Sequence, residues 1–272
     1  MIIPLDKTAI LETFTTISHT YQEDISSITI FESTDSTNTQ AKNAIQRNPT
    51  ENHHGKIFLA ESQTAGRGRL GKTFYSPNKT GIYASIIVDS QKITLPPHLI
   101  TPAVAVAVTR MLQKQLNLSS EIKWVNDIFI DKKKVCGILT EGIFQAGKLQ
   151  NIVIGIGLNI STDFEQNPDN LQNIATSLSS ICSTKKFDRN ILFAHLLSEI
   201  FIAINTPQEK IMQEYKEKSL VLNKTIQVIE SQATYFAKVL DITPEGHLLI
   251  QRENDNSIKE LLSGEISIKL NT

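Results

Sequence analysis

The chain has 272 residues, a formal net charge of -1 at pH 7, 40% hydrophobic residues and 20% charged residues. This composition is typical of a globular protein with room for one large and one small domain. The near-neutral charge argues against a broad nucleic-acid surface, and no apolar run reaches membrane-spanning length. Two cysteines, Cys136 and Cys182, give neither a disulfide framework nor a metal-binding spacing. The opening residues lack a signal peptide pattern, so we expect reduced thiols and a cytoplasmic protein.

The first quarter of the chain predicts two helices and two strands. A helix is expected over 8–21, but residues 1–25 are too few for a DNA-binding helix-turn-helix domain. Strands are expected over 26–31 and 56–61, on either side of a helix that begins at Asp35 or Ser36 and ends near 47.

A basic, glycine-rich loop separates the strand at 56–61 from a further predicted strand at 81–88. It contains Gly66, Arg67, Gly68, Arg69, Gly71 and Lys72. Glycines let a backbone approach a ligand closely, and interleaved cations form a cradle for carboxylate or phosphate oxygens. The spacing Gly-x-Gly-x-x-Gly matches a dinucleotide-binding fingerprint, but the residues before Gly81 leave no room for the helix that this motif requires. The pattern therefore predicts a strand, a loop and a strand, with a solvated hairpin tip as the alternative.

The middle of the chain predicts a mixture of short strands and long helices. A helix is expected to begin at Thr101 with Pro102 as its first helical residue, and its apolar sequence to Leu116 predicts burial against a sheet. An amphipathic helix is expected over 191–204, and the capping box at 206–209 predicts a helix to Lys218. Short strands are expected over 121–124, 128–130, 135–142 and 149–160, with hairpin turns at 131–134 and 145–148 and a short helix near 175–181.

The pattern changes near residue 220. Five short alternating strands follow, with tight turns at 244–246 and 254–256, which is typical of a small β-barrel or sandwich. We therefore predict a large domain over residues 1–219 and a small β-domain over residues 220–272.

Five segments, in order along the chain, resemble the motifs of biotin protein ligases, which attach biotin to a lysine of carboxylase carrier domains. They are Asp35–Asn38, the basic loop at 61–72, Lys123–Asp127, Lys134–Glu141 and Ile154–Asn159. The resemblance implies an α+β fold, with a mixed-sheet catalytic domain like that of class II synthetases and a C-terminal SH3-like β-barrel. It also implies a short form that lacks the N-terminal DNA-binding repressor domain.

The resemblance further implies a reaction and its partners. ATP and Mg²⁺ would activate biotin as biotinyl-5'-AMP with release of pyrophosphate, and the biotinyl group would pass to a lysine of a biotin carboxyl carrier protein. The partners would then be biotin, ATP and the carrier, with no DNA or membrane, and the protein would be a monomer or a homodimer.

Residue roles carry over onto matching positions. The ureido end of biotin would be bound by Ser36, Thr37, Asn38 and Gln63. Arg67 and Arg69 would contact the biotin carboxylate and the adenylate phosphate, and Lys134 would bridge the same two groups. For Ser36 and Thr37 the alternative is plain helix capping, and for Lys134 it is a solvated turn.

A second group of residues would contact the bound ligands. It comprises Gly66, Gly68, Lys72, Phe74, Lys123, Asn126, Asp127, Gly137, Gly155, Gly157 and Asn159. Asp127 is the candidate for holding Mg²⁺ or a ligand hydroxyl, because this ion usually takes one or two carboxylates and phosphate oxygens. Gly155 and Gly157 would let the ligand lie close to their strand, or would alternatively mark a bulge.

The sequence departs from the family at three positions. Val125 stands where proline is usual, Lys72 where arginine occurs in some members, and Phe74 where tryptophan often covers the adenine. Lys269, beyond a matching segment at 263–267, is a further candidate contact for nucleotide or acceptor. The alternative functions are a lipoate ligase or acyltransferase of the same fold, and a binding module without turnover.

Overall fold

The computed structural model describes residues 3–165, 171–182, 186–230, 233–262 and 264–268. Its helices are α1 Lys7–Ile17, α2 Thr37–Arg47, α3 Ile100–Leu116, α4 Leu178–Ile181, α5 Arg189–Ile204 and α6 Gln208–Glu217. The strands of the first sheet are β1 Ser27–Phe31, β2 Lys56–Ala60, β3 Gly81–Asp89, β4 Glu121–Lys123, β5 Asp127–Ile130, β6 Lys133–Gln145 and β7 Lys148–Asn159. The strands of the second sheet are β8 Thr225–Ile229, β9 Thr234–Ile242, β10 Leu248–Arg252, β11 Ile258–Leu261 and β12 Glu265–Ile268.

The first sheet has the strand order β1-β2-β3-β7-β6-β5-β4. Only β1 and β2 pair in parallel, and all the other neighbours are antiparallel. The basic loop joins β2 to β3, which pair directly and antiparallel to each other. A dinucleotide-binding turn would need a helical crossover between parallel strands, so the strand-loop-strand prediction is confirmed.

Helices cover both faces of this sheet because its central strands are apolar on both sides. Helices α1, α3 and α5 contribute to the main core, which reaches across one face of the sheet. Helix α2 covers the opposite face with Ala41 and Ile45, which pack against Phe58, Ile87 and Val153. The mixed sheet with packed helices confirms the predicted fold class of the larger part.

The second sheet is a separate antiparallel sheet with the order β11-β10-β9-β8-β12. Its apolar residues, among them Val228, Ala237, Val239 and Ile250, are buried. These five strands confirm the prediction of five short strands after residue 220. None of the helices in the described ranges is both long and apolar enough to span a membrane.

Three local predictions were wrong. Helix α3 begins at Ile100, so Pro102 is its third residue and a short 3-10 turn precedes it. The capping box at Thr206 does not form, because the Thr206 hydroxyl donates to Ile202 O at 2.7 Å, at the end of the preceding helix. Helix α5 is buried almost all round rather than amphipathic, because it lies between α1 and α3.

Candidate active site

A cavity of about 550 Å³ opens over the middle of the first sheet, beneath the basic loop. Every predicted site residue except Gly66 and Gly157 lines it. The lining set is Ser36, Thr37, Asn38, Gln63, Arg67, Gly68, Arg69, Lys72, Phe74, Lys123, Asn126, Asp127, Lys134, Gly137, Gly155 and Asn159. Residues that are up to 123 positions apart in the chain therefore meet around one space.

Neutral polar side chains line one end of the cavity. Ser36 holds the N-cap position of α2, but its side chain makes no capping bond. The Thr37 amide N–H instead donates to Gln63 Oε1 at 2.8 Å, and Gln63 Nε2 donates to Ser76 Oγ at 2.8 Å. The capping alternative is therefore wrong for the Ser36 side chain. The Gln63 side chain accepts from a backbone N–H at the start of α2 instead.

Asn38 is fixed at this polar end from several sides. Ser85 Oγ donates to Asn38 Oδ1 at 2.5 Å, and Asn38 Nδ2 donates to Glu141 Oε2 at 2.9 Å. A Cβ atom on Gly155 would lie 2.1 Å from Asn38 Oδ1. Gly155 therefore makes room for the side-chain amide of Asn38, which lies against strand β7 and lines the cavity.

Phe74 lies against the strands that form the floor of the cavity. A Cβ atom on Gly157 would lie 2.4 Å from Phe74 Cε1, and one on Gly137 would lie 3.2 Å from Phe74 Cε2. The ring also packs edge-on against Tyr83, with centroids 6.5 Å apart. Strand β7 pairs with β3 in unbroken register from Asn151 to Asn159, so the bulge alternative for Gly155 and Gly157 is wrong.

Gly66 does not line the cavity, but it lets the two sides of the basic loop pack closely against each other. Its added Cβ would lie 2.4 Å from Phe74 O and 2.8 Å from Ser76 Oγ. The Phe74 amide donates back to Gly66 O at 2.9 Å, which closes the loop on itself. At the loop tip, Gly71 has φ +76° and takes the left-handed conformation that favours glycine.

Three cations extend from the loop and β6 toward the cavity, and each has an oxygen partner. Arg67 contacts Glu141 with Nη1 and Nη2 at 3.2 and 3.1 Å. Arg69 Nη1 donates to Asn126 Oδ1 at 3.2 Å, and Lys134 Nζ lies 2.7 Å from Asp127 Oδ1. The site is thus held in shape by internal acceptors that a ligand carboxylate or phosphate could replace.

Lys134 belongs to strand β6 and not to a solvated turn. Its backbone accepts from Thr176 N and donates to Ile174 O at 2.8 and 2.9 Å, which fixes it from the far side. Its Nζ lies 5.7 Å from the centre of the Phe74 ring, within the range of a cation–π contact. The turn alternative, which depended on the run of three lysines, is therefore wrong.

The segment with Val125 in place of proline is held by hydrogen bonds from other elements. Val125 O accepts from Tyr215 Oη at 3.1 Å, and Asn126 Nδ2 donates to Ile138 O at 2.9 Å. Trp124 is buried, lines the cavity and donates from Nε1 to Gly246 O at 2.9 Å. Trp124 therefore belongs to the core at the cavity floor.

Asn159 presents a buried, unpartnered acceptor beside the cavity. Its Nδ2 donates to Thr176 O at 3.1 Å, while Oδ1 has no hydrogen-bond partner among the described residues. A buried polar atom without a partner is costly, so Asn159 Oδ1 suits a ligand donor or a cation. No group of three or more His, Cys, Asp or Glu residues in the described part of the chain could hold a metal ion.

Glu141 is the main functional candidate that sequence reasoning did not single out. Its carboxylate accepts from Lys42 Nζ at 2.9 Å, in addition to Asn38 and Arg67. Burial alone would raise the pKa of Glu141, but the hydrogen bonds from Lys42 and Asn38 and the two cations hold it below 4.5. A carboxylate two residues after the apolar run at 135–139 was the available signal.

Two further groups at the site have a raised pKa because they are buried. Burial raises the pKa of Tyr83 to about 12, so its hydroxyl keeps its proton and donates to Pro77 O at 3.0 Å. Burial likewise raises the pKa of the Cys136 thiol, which makes this cysteine a poor nucleophile.

The second sheet reaches the cavity through Gly264 and Ile266. Ser263 and Lys269, which belong to the predicted C-terminal contact segment, lie outside the described residues.

Two family models match this chain. Residues 30–159 match the biotin/lipoate A/B protein ligase family, and residues 221–269 match the biotin protein ligase C terminal domain. The chain belongs to the biotin/lipoate A/B protein ligase family. The first match, over residues 30–159, contains all five motifs, including the basic loop.

Curated relatives agree with this assignment. The chain is 32% identical over 221 residues to the bifunctional ligase/repressor BirA of Bacillus spizizenii, covering 79% of this chain and 66% of that protein. It is 27% identical over 183 residues to the biotin–[acetyl-CoA-carboxylase] ligase of Mycobacterium tuberculosis, covering 64% of each. The chain thus spans just under two thirds of the length of these relatives.

Solved structures share the fold. The biotin protein ligase of Aquifex aeolicus in complex with biotin and ATP superposes with a TM-score of 0.74 at 24% identity, covering 90% of this chain and 99% of that one. The biotin acetyl coenzyme A carboxylase synthetase of Helicobacter pylori, with bound biotinylated ATP, has a TM-score of 0.61 at 17% identity, covering 86% and 98%.

Proposed function

We propose that this protein is an ATP-dependent biotin–protein ligase. It would activate biotin to biotinyl-5'-AMP with release of pyrophosphate, and then transfer the biotinyl group to a lysine of a biotin carboxyl carrier protein. We assign the small-molecule chemistry to residues 1–219 and treat residues 220–272 as an accessory domain. The family assignment and the named relatives support this proposal.

A single observation carries the proposal. One cavity combines a neutral, hydrogen-bonding end at Gln63 and Asn38 with a charged end at Arg69 and Lys134. Biotin has the matching polarity, since a neutral ureido ring lies at one end of the molecule and a carboxylate at the other. The triphosphate of ATP adds further anionic charge at the second end, where the cations lie.

The first step brings anions together. A biotin carboxylate oxygen attacks the α-phosphorus of ATP, a new O–P bond forms, and the bond to pyrophosphate breaks. Arg67, Arg69 and Lys134 would stabilise the charge that develops on the phosphoryl oxygens, because fixed cations do this best where charge appears in the transition state. Their present partners Glu141, Asn126 and Asp127 keep them oriented before the ligands arrive.

Mg²⁺ fits the donors at the charged end. Mg²⁺ usually binds through one or two carboxylates and substrate phosphates, and Asp127 supplies one carboxylate on the cavity wall. The unpartnered Asn159 Oδ1 supplies a second oxygen donor. When bound, the ion would neutralise part of the phosphate charge of ATP.

In the second step the acceptor lysine amine attacks the carbonyl carbon of the adenylate. A C–N bond forms, the C–O bond to AMP breaks, and AMP leaves with the anionic charge that Arg69 and Lys134 stabilise. Neither step needs a protein nucleophile, which agrees with the buried, high-pKa state of Cys136.

Calorimetric titration with biotin, followed by pyrophosphate detection, tests this proposal. We expect biotin to bind, and pyrophosphate to appear only when biotin and ATP with Mg²⁺ are both present. A purified biotin carboxyl carrier domain should then gain one biotinyl group on a lysine. Binding and activation of lipoate in place of biotin would favour the alternative, a lipoate ligase of the same fold.

A further inference from the structure

A buried ion pair joins the two ends of the basic loop. Arg189 Nη1 lies 2.6 Å from Glu61 Oε2, and the two side chains are only 3% and 2% exposed. Glu61 is the first residue after β2, where the loop begins. The same Nη1 donates to Gly81 O at 3.2 Å, and Gly81 is the residue where the loop ends and β3 begins.

The N-terminal segment joins the same pair. Leu5 N donates to Glu61 Oε1 at 2.8 Å, and Arg189 Nη2 donates to Ile3 O at 2.9 Å. Asn190, the next residue of α5, bonds Pro4 O and Asp6 N through its amide. One carboxylate and one guanidinium therefore connect the N-terminal segment, helix α5 and both ends of the loop.

Stability alone gives little reason for this arrangement. A buried ion pair is often no more stabilising than apolar residues of similar volume, because both charges lose their hydration. Arg189 is also the first residue of α5, where the helix dipole disfavours a positive charge. What the pair adds is geometry, since the planar guanidinium has several donors in fixed directions and can bond both ends of the loop at once.

We propose that Arg189 and Glu61 are positioning residues for the basic loop. They would fix the distance and orientation of its two ends, so that Arg67 and Arg69 are held above the cavity and the loop retains the acyl-adenylate. The last part of this inference depends on the proposed ligase function, whereas the effect on the loop itself does not. Neither residue lines the cavity, so both act through the loop.

Two variants separate geometry from charge and from folding. Arg189→Lys keeps the positive charge but loses the planar fork, so one nitrogen cannot bond Glu61, Gly81 and Ile3 together. The double variant Glu61→Leu with Arg189→Met removes the pair and leaves no unpaired buried charge, which favours retention of the fold. Glu199→Gln is the matched control. Glu199 lies on α5, as Arg189 does, but its ion pair is with Lys114 of α3, away from the loop.

Hydrogen–deuterium exchange of the ligand-free proteins is the first measurement. We expect the amides of residues 62–80 to exchange roughly tenfold faster in both pair variants, with β6 and β7 unchanged and Glu199→Gln like wild type. The dissociation rate of the acyl-adenylate should rise by a similar factor, while Glu199→Gln leaves it unchanged.

The outcomes distinguish the two proposals. Wild-type loop exchange in the folded double variant would overturn the positioning role, whatever the ligand. Faster loop exchange in the pair variants, together with a wild-type protein that forms no biotinyl-adenylate, would keep the loop inference and overturn the ligase proposal.

Discussion

Replacing Gly157 by alanine tests how the glycines of β7 shape the cavity. The added Cβ would lie 2.4 and 2.5 Å from Phe74 Cε1 and Cζ. Carbon atoms in contact normally lie about 3.5–4.0 Å apart, so the Phe74 ring must retreat by roughly 1 Å or more. Gly157 does not have a left-handed backbone, so the clash with this ring is the main penalty.

The expected magnitude follows from that overlap. Over-packing a fitted site typically costs about 1–3 kcal/mol of unfolding free energy. The ring can move only away from the strand floor and toward the cavity, because Gly137 and Tyr83 lie beside it. We therefore expect Gly157→Ala to lower the unfolding free energy in this range and to raise the KM for ATP.

A double-mutant cycle with Phe74→Ala provides the assay. Denaturant unfolding is measured for wild type, the two single variants and the double variant. Gly157→Ala should lower the unfolding free energy much less in the Phe74→Ala background, because the effects of substitutions at contacting residues are not additive. Gly142→Ala on β6 is the control, because its added methyl would lie farther from its neighbours, 3.0 Å from Leu149 Cδ1 and 3.2 Å from Phe144 Cε2, and because Phe144 is exposed. An equal penalty for Gly157→Ala in both backgrounds would refute the packing argument.

Three further changes address the charged groups of the site. Lys134→Ala should reduce the rate of biotin-dependent pyrophosphate release by roughly 100-fold or more with the fold intact, because a fixed cation is lost where charge develops; normal turnover would remove Lys134 from the site. Arg69→Ala should shorten the lifetime of the bound adenylate, measured by a chase with unlabelled biotin, and an unchanged lifetime would contradict its assigned role. Glu141→Gln should lower the Tm near neutral pH, because it weakens the contacts to Lys42 and Arg67. The lowered pKa of Glu141 means that its ionised form stabilises the fold above pH 4.5, and that this contribution is lost as the pH falls through the lowered pKa. The Tm difference between wild type and Glu141→Gln should therefore shrink as the pH falls below the ordinary pKa of a glutamate, and a constant difference would contradict this reasoning.

Local pattern and spacing were sufficient for much of the fold. The ten-residue interval from Gly71 to Gly81 excluded a crossover helix, and β2 and β3 do pair directly. The alternating strands after residue 220 likewise form a separate antiparallel sheet. These features depend on chain length and residue periodicity, which the sequence contains directly.

The wrong predictions involved competition that only tertiary structure reveals. The Thr206 hydroxyl could accept from a backbone N–H of the next helix or donate to the carbonyl of Ile202 at the end of α5, and the second bond is the one it makes. The capping of α2 depended on Gln63, which lies 26 positions further along the chain. Neither partner could be identified before the elements were packed together.

The same limit applies to the site. The motifs located Arg67 and Lys134, but the resting partners Glu141 and Asp127 depend on how strands β5 and β6 lie beneath the loop. Arg189 has no distinguishing feature in the sequence, where it resembles a solvated residue at the start of a helix. Its burial against Glu61 appears only in the structure.

Isotope exchange between pyrophosphate and ATP most directly tests the claim that this one cavity activates biotin. Labelled pyrophosphate enters ATP only if the acid substrate and ATP react reversibly in the site. We predict exchange that requires biotin and Mg²⁺, that is reduced by roughly 100-fold or more in Lys134→Ala, and that lipoate does not support. Exchange without biotin, or exchange supported by lipoate alone, would contradict the proposed function.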